Sequence, residues 1–503
     1  MLTCHGKHSH TSISNKNLNN LTFCRILMKR ILTISLLFAC VLSMQAKVEL
    51  PPIFADNMVL QQQTDAALWG HAKPNAKVTI TTTWSKAKTS VSADADGKWF
   101  ARVATPAAGG PYEITFSDGD KTTLKNVLIG EVWICSGQSN MEMPMKGFSG
   151  QPVDGATDLI LGAKTTTLIR SCNLERIKSF ELQNECPATW YEHTPQGVAE
   201  ASATAYFFAK RLYETLDVPV GIINVSWGGT PIQAWMNPEL LKKEFAQEIK
   251  LEHLQTKEWP KKYGFKLPGV LYNGMLHSVI PFTAKGFIWY QGCDNRMKYE
   301  QYKRLQPAFV KMLRQEWGND KMPFYFTQIA PYKYEDPNRP EGGYMMWAQA
   351  QTLELIPYSG MACTHDAGEL ACIHPANKKV VGDRLAFNAL ANDYGYDMFD
   401  GKTPVPVKFE FKDGEAIVTF DAGRKGLGPI STDLDGFELA GEDRVFYPAK
   451  GRSLSSNRNQ IKVYQCPQVP NPVAVRYGMK NWSEATLFNC FGIPATPFRS
   501  DNW

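Results

Sequence analysis

The sequence predicts an α/β fold: a parallel sheet with helices on both faces, flanked by two β-rich modules. Three observations predict it. First, apolar runs that break into glycine or small polar residues recur as "NVLIGEVWICSG", "VPVGIINVSWGGT" and "AKGFIWYQG", with "MPFYFTQIAP" as a fourth strand. Second, "ATAYFFAKRLYETL", "YEQYKRLQPAFVKMLRQEWG" and "NKKVVGDRLAFNALAND" carry apolar residues at helical spacing among those strands. Alternation of such strands and helices indicates a parallel sheet covered on both faces. Third, the segments on either side are short, alternating and β-branched, broken by Asp-Gly, Pro and Gly-Gly.

In chain order, residues 1–46 read as an upstream extension plus export signal. "MKRILTISLLFACVLSMQA" places two cations before an apolar run that is too short to favour a membrane span and closes on a small residue. Met28 is the expected start. Cys40 is a possible lipid-anchor site, disfavoured because Phe38 is bulky and the apolar run continues past it. Residues 47–125 read as an N-terminal β-sandwich-like module and 126–399 as the α/β domain. Residues 400–503 form a C-terminal β-rich module, with "PVKFEFKDGEAIVTFD", "NQIKVYQCP" and "VAVRYGM" as strands. No internal repeat or low-complexity linker separates these parts, so one packed body is expected.

The 44% apolar and 20% charged fractions are those of a globular chain. The formal charge of +5 arises in the first 46 residues, which hold Lys7, Lys16, Arg25, Lys29 and Arg30 and no acid. The remainder balances, so nothing calls for nucleic acid or an anionic surface as partner. No Cys-x-x-Cys or His-Glu-x-x-His spacing is present, which argues against a metal site. Export would allow some of the eight later cysteines to pair, with Cys172–Cys186 and Cys466–Cys490 as candidates by proximity.

The chemistry is expected where strands end in glycines and polar residues, beyond the sheet's carboxyl edge. "EVWICSGQSNMEMP" ends a buried strand in a turn that presents Ser139, the candidate nucleophile. Residue 141 is Met, so this is not the Gly-x-Ser-x-Gly elbow. His374, in "CIHPANKKVVGDRLA", precedes a proline that holds it out of helical geometry just before a helix. It is the candidate base.

In order, "SGQSNM", "SWGGT", "WYQG" and "IHP" resemble the SGNH hydrolase superfamily. More narrowly they look like its sialate O-acetylesterase family of secreted bacterial carbohydrate esterases. The resemblance runs from about residue 48 to the end, including "LPPIFADNMVLQQ" and "TPFRSDNW". It implies a three-layer α/β/α, flavodoxin-like domain that removes O-acetyl groups through an acetyl-serine, without a cofactor. It assigns Ser139 as nucleophile and His374 as acid–base. It makes the Ser139 N–H, Gly228, Gly229 and the Gln291 side chain the oxyanion donors, with Asn295 as alternative donor. The expected substrate is an O-acetylated sialic acid, with acetylated plant polysaccharide such as xylan, or a non-catalytic sugar-binding role, as alternatives.

The chain departs from the family pattern in two places. The superfamily's acid two or three residues before the histidine is replaced by Ala371 and Cys372. Glu369 or Asp366, or a backbone carbonyl in a Ser–His dyad, are the substitutes. Cys293 stands after "WYQG", where relatives commonly have Glu, and a Cys293–Cys372 disulfide stiffening the histidine loop is one reading. Trp227 and Tyr290 could form a sugar platform, although strand-end aromatics such as Trp289 and Tyr290 are also natural core residues. Arg296 is the nearest arginine to a motif for a sugar carboxylate.

Overall fold

One long strand, β1 (Lys121–Gly137), organises the chain. The computed structural model describes residues 47–464 and 466–503, so the segment expected to direct export and Cys40 lie outside the described residues. In the second half of β1, Val132 and Ile134 join one apolar cluster while Trp133 and Cys135 join another. Burial on both faces is why this stretch reads as an unbroken apolar run rather than an alternation. Each large aliphatic side chain so buried contributes about 1.5–3 kcal/mol.

The central sheet is completed by β2 (Ile169–Leu174), β3 (Ala188–Tyr191), β4 (Val220–Ser226), β5 (Gly286–Tyr290), β6 (Phe324–Thr327) and β7 (Ser359–Ala362). Their spatial order is β7-β6-β5-β1-β4-β2-β3. Every neighbouring pair is parallel except β2–β3. Leaving out the edge pair β2–β3, the five remaining strands run second-first-third-fourth-fifth in chain order. Such an order reverses the direction of winding between β1 and β5, which opens a crevice at their carboxyl ends. β2, β3 and β7 were not singled out in the sequence. Two of the three are only four residues long, at the lower limit for a strand pattern.

The helices that matter for the site are α1 (Ser139–Glu142), α2 (Ala203–Leu216), α3 (Tyr299–Trp317), α4 (Glu341–Gln351) and α5 (Lys378–Asp393). Phe208 of α2 and Leu385 of α5 belong to the cluster of Trp133, whereas Phe309 of α3 and Met345 of α4 belong to that of Ile134. α2 begins where Ser202 accepts from the Ala205 N–H, and α5 where Asn377 accepts from the Val380 N–H. These are ordinary side-chain N-caps. The second one, three residues after His374, sets the start of α5.

The N-terminal module is fused to this sheet. Gly109–Ser117 pairs antiparallel with the first half of β1, and Val59–Gln61 runs parallel beside Leu128–Gly130. The boundary expected at residues 125/126 therefore falls within β1. One apolar cluster runs from Val48 of this module to Met361 of β7. The C-terminal module is a seven-stranded antiparallel sheet from Val405–Lys412 to Phe498–Arg499, with Phe437, Tyr477 and Phe498 in its own core.

Candidate active site

The turn that carries Ser139 depends on one glycine. Gly137 ends β1 at φ +140°, and a Cβ placed there would stand 2.2 Å from the Tyr290 carbonyl oxygen. The absent side chain lets β1 approach β5 while the chain turns away. The Gln138 N–H donates to that carbonyl (2.9 Å), and the Trp227 N–H donates to Gly137 O (3.1 Å). Gly137→Ala is expected to lower stability by about 2–4 kcal/mol through strain and overpacking. The measurement is the urea midpoint; an unchanged midpoint would show that the two strands separate freely here.

Beyond the turn, Ser139 opens α1 half-buried, and its Oγ lies 2.8 Å from His374 Nε2. His374 Nδ1 is 2.5 Å from Oε1 of Gln151. A carbonyl oxygen only accepts, so Nδ1 carries the proton and Nε2 is free to accept from the serine hydroxyl. Phe148 packs edge-on against the imidazole at 5.4 Å. Phe148 and Gln151 exchange backbone hydrogen bonds in a small loop containing Gly147 and Gly150, both at positive φ. The Asp154 N–H donates to Ala376 O, tying this loop to the histidine loop.

Gln151 therefore occupies the place expected for an acid. Neither expected substitute reaches the imidazole. Asp366 is held bidentate by Arg384, and Glu369 accepts from the Ala376 N–H at 2.6 Å. The expected Cys293–Cys372 disulfide is absent as well. All eight described cysteines are unpaired, including those of the candidate pairs Cys172–Cys186 and Cys466–Cys490. The Cys372 thiol donates to His374 O, and burial pushes the Cys293 thiol up to about 11.

A buried cation stands behind the pair. Lys378, the first residue of α5, is 1% exposed and donates through Nζ to Asn140 Oδ1. Asn140 Nδ2 donates to Ile373 O at 3.0 Å, so one amide joins the Ser139 turn to both the histidine loop and α5. Burial lowers Lys378 to about 7. Burial first, and the Lys378 charge second, lower His374 to about 4. With no carboxylate facing the ring, nothing offsets these two effects.

The expected oxyanion donors fare unequally. Ser139 is the first residue of its helix, where an N–H has no intrahelical acceptor. Gly229 is at φ +67° with open space where a side chain would be, and among the described residues no partner takes its N–H. The Gly228 N–H, in contrast, already donates to Glu142 Oε2. Gln291 is fully buried, its amide donating to Thr230 O (3.0 Å) and Asn295 Oδ1 (2.8 Å). Asn295 accepts from the Ile232 N–H and donates to Gln233 Oε1. A backbone N–H thus fixes Asn295, and Asn295 fixes Gln291, so both amides brace the crevice wall rather than face the serine.

Of the expected sugar contacts, Trp227 is partly exposed and stacks on Phe265 at 5.1 Å, making an aromatic wall beside Gly228. Tyr290 is 1% exposed and belongs to the core. Arg296 is committed to both carboxylate oxygens of Glu335 and lies over the Tyr334 ring. Gln151, Lys378 and Glu142 escaped the sequence reading. The only local hint was the glycine-bracketed "GFSGQ" after the nucleophile, which says turn but not imidazole.

Comparison with known proteins points to carbohydrate esterases. The family model described as carbohydrate esterase, sialic acid-specific acetylesterase, matches residues 129–390. The sialate O-acetylesterase of Homo sapiens is 27% identical over 491 residues, covering 88% of this chain and 90% of that protein. The Rattus norvegicus protein of the same description is 28% identical over 520 residues, covering 88% and 93%. The crystal structure of a carbohydrate acetylesterase from Xanthomonas citri superposes with a TM-score of 0.81 at 32% identity, covering 91% of this chain and all of that one. This chain belongs to the sialic acid-specific acetylesterase family of carbohydrate esterases, and it is a carbohydrate O-acetylesterase.

Proposed function

We propose that the chain is an exported, periplasmic sialate O-acetylesterase working through an acetyl-Ser139 intermediate on a three-layer, flavodoxin-like SGNH domain. The observation that carries the mechanism is the relay from Ser139 Oγ through His374 to Gln151 Oε1, at 2.8 and 2.5 Å. The export reading rests on the basic-then-apolar segment 28–46.

In this mechanism Ser139 Oγ attacks the acetyl carbonyl carbon as its proton passes to His374 Nε2. The Ser139 and Gly229 N–H groups receive the developing oxyanion, a site type whose single donors are each worth about 10²–10³ in rate. His374 Nε2–H then protonates the departing sugar oxygen, leaving acetyl-Ser139. The neutral imidazole next takes a proton from water, whose oxygen attacks the acetyl carbon, and acetate leaves as Ser139 regains its proton. Gln151 keeps the imidazole in the required tautomer throughout. It supplies no negative charge to the imidazolium.

Acetate release by residues 47–503 from O-acetylated sialic acid and from acetylated xylan, with Ser139→Ala as blank, tests the reading. Serine-dependent release favouring the sialic acid is expected. Release from xylan alone would overturn the substrate and retain the mechanism.

A further inference from the structure

The expected arginine for a sugar carboxylate, Arg296, is engaged elsewhere, but another arginine stands at the site. Glu142, the last residue of α1, accepts from the Gly228 N–H through Oε2 and from Arg176 Nη1 through Oε1. A Cβ on Gly228 would lie 3.1 Å from the Ser139 Cβ, so this carboxylate links the backbone against the nucleophile to a guanidinium. Arg176 follows β2, a strand parallel to β4 and hence to β1, and so it lies off the same sheet edge as Ser139.

The guanidinium is anchored but not used up. Its side chain is 57% exposed and that of Glu142 16%. Among the described residues no partner reaches Arg176 Nη2 or Nε. The outer edge of the fork is therefore open to solvent, in the planar form that suits a carboxylate. The same loop carries Lys178 over the Trp259 ring at 4.2 Å. Its Nζ lies beside Gly264, next to the Phe265 that stacks on Trp227. A sugar on the Trp227 wall with its ester at Ser139 thus meets a cationic rim on the β2 side.

We propose that Arg176, held in place by Glu142, is the specificity-determining residue that selects acetylated sugars bearing a carboxylate. This rests on the sialate reading of the active site. No new bond is involved: the free guanidinium edge donates to the sugar's carboxylate while the ester lies at Ser139.

The test compares kcat/KM for an O-acetylated sialic acid with that for its carboxyl methyl ester, in the wild type, Arg176→Gln and Arg176→Lys. The acid-to-ester ratio cancels any general damage to the nucleophile turn. A charge-assisted hydrogen bond predicts a wild-type ratio of about 10–100. It should collapse to about one in Arg176→Gln, mainly through KM, and be partly retained in Arg176→Lys. A ratio unchanged by Arg176→Gln overturns the proposal while leaving the sialate reading intact. Failure of the wild type to cleave either form, while it still cleaves 4-nitrophenyl acetate, overturns the sialate reading and the clamp with it.

Discussion

Ser139→Ala is expected to lower kcat for acetate release by about 10⁴–10⁶-fold, and His374→Ala by a comparable factor. The two side chains act as one unit. The hydroxyl is a weak nucleophile unless Nε2 takes its proton, and Nε2 has nothing to activate without the hydroxyl. The double variant should therefore be no slower than the worse single one, because the residual rate comes from the oxyanion donors and binding. Single-turnover acetate release measures all three. A fluorophosphonate probe should label the wild type but not Ser139→Ala. His374→Ala retaining more than a tenth of wild-type kcat would assign the proton transfer to another group.

Gln151 carries the second large effect, through orientation and pH. Gln151→Ala removes the acceptor from Nδ1 and frees the ring to turn, which at this separation costs about 10²-fold in kcat. The KM should change little, since the amide faces the imidazole and not the sugar. The pH profile is the sharper reading. The acid limb of kcat/KM reports the base in the free enzyme. Burial and Lys378 hold His374 at about 4, so the base stays neutral and active as the pH falls through 6 and 5, failing only near 4. A carboxylate at position 151 would favour the imidazolium. Gln151→Glu should therefore move that limb up by about 1–3 pH units, reducing activity at pH 5 relative to pH 8. A limb that stays in place would mean that residue 151 does not govern the protonation of His374.

The neutral orienter also bears on how far the site could be read from the chain. Ser139 and His374 were legible because each has a strong local context: an apolar run breaking into "SGQSN", and a histidine stiffened by Pro375 before a helix. Gln151 was not. The family pattern puts an acid on the histidine's own loop, where the carboxylates are Glu369 and Asp366. The group in place is an amide 223 residues away in sequence. The same limit applies to the donors. "WGGT" and "WYQG" mark the crevice, but whether an amide faces the serine or its own loop depends on neighbours such as Asn295 and Ile232. Arg296 stood out only by its nearness to "WYQG", and the folded chain commits it to Glu335, whereas Arg176, far from any motif, is paired with Glu142 beside Gly228.

By itself the sequence determined the parallel sheet, the strand ends where chemistry collects, the β modules on either side, and the choice of Ser139 and His374, which the fold brings to 2.8 Å. These follow from local periodicity and from residues whose backbone demands are felt within a few positions. The tertiary structure alone decided what orients His374, which N–H groups remain free, that Lys378 is buried behind the site, and that β1 belongs to two modules. Each of these is a pairing between groups distant along the chain. Which partner a polar group takes depends on what the folded chain brings within hydrogen-bonding reach, about 3 Å, and on what it shields from water.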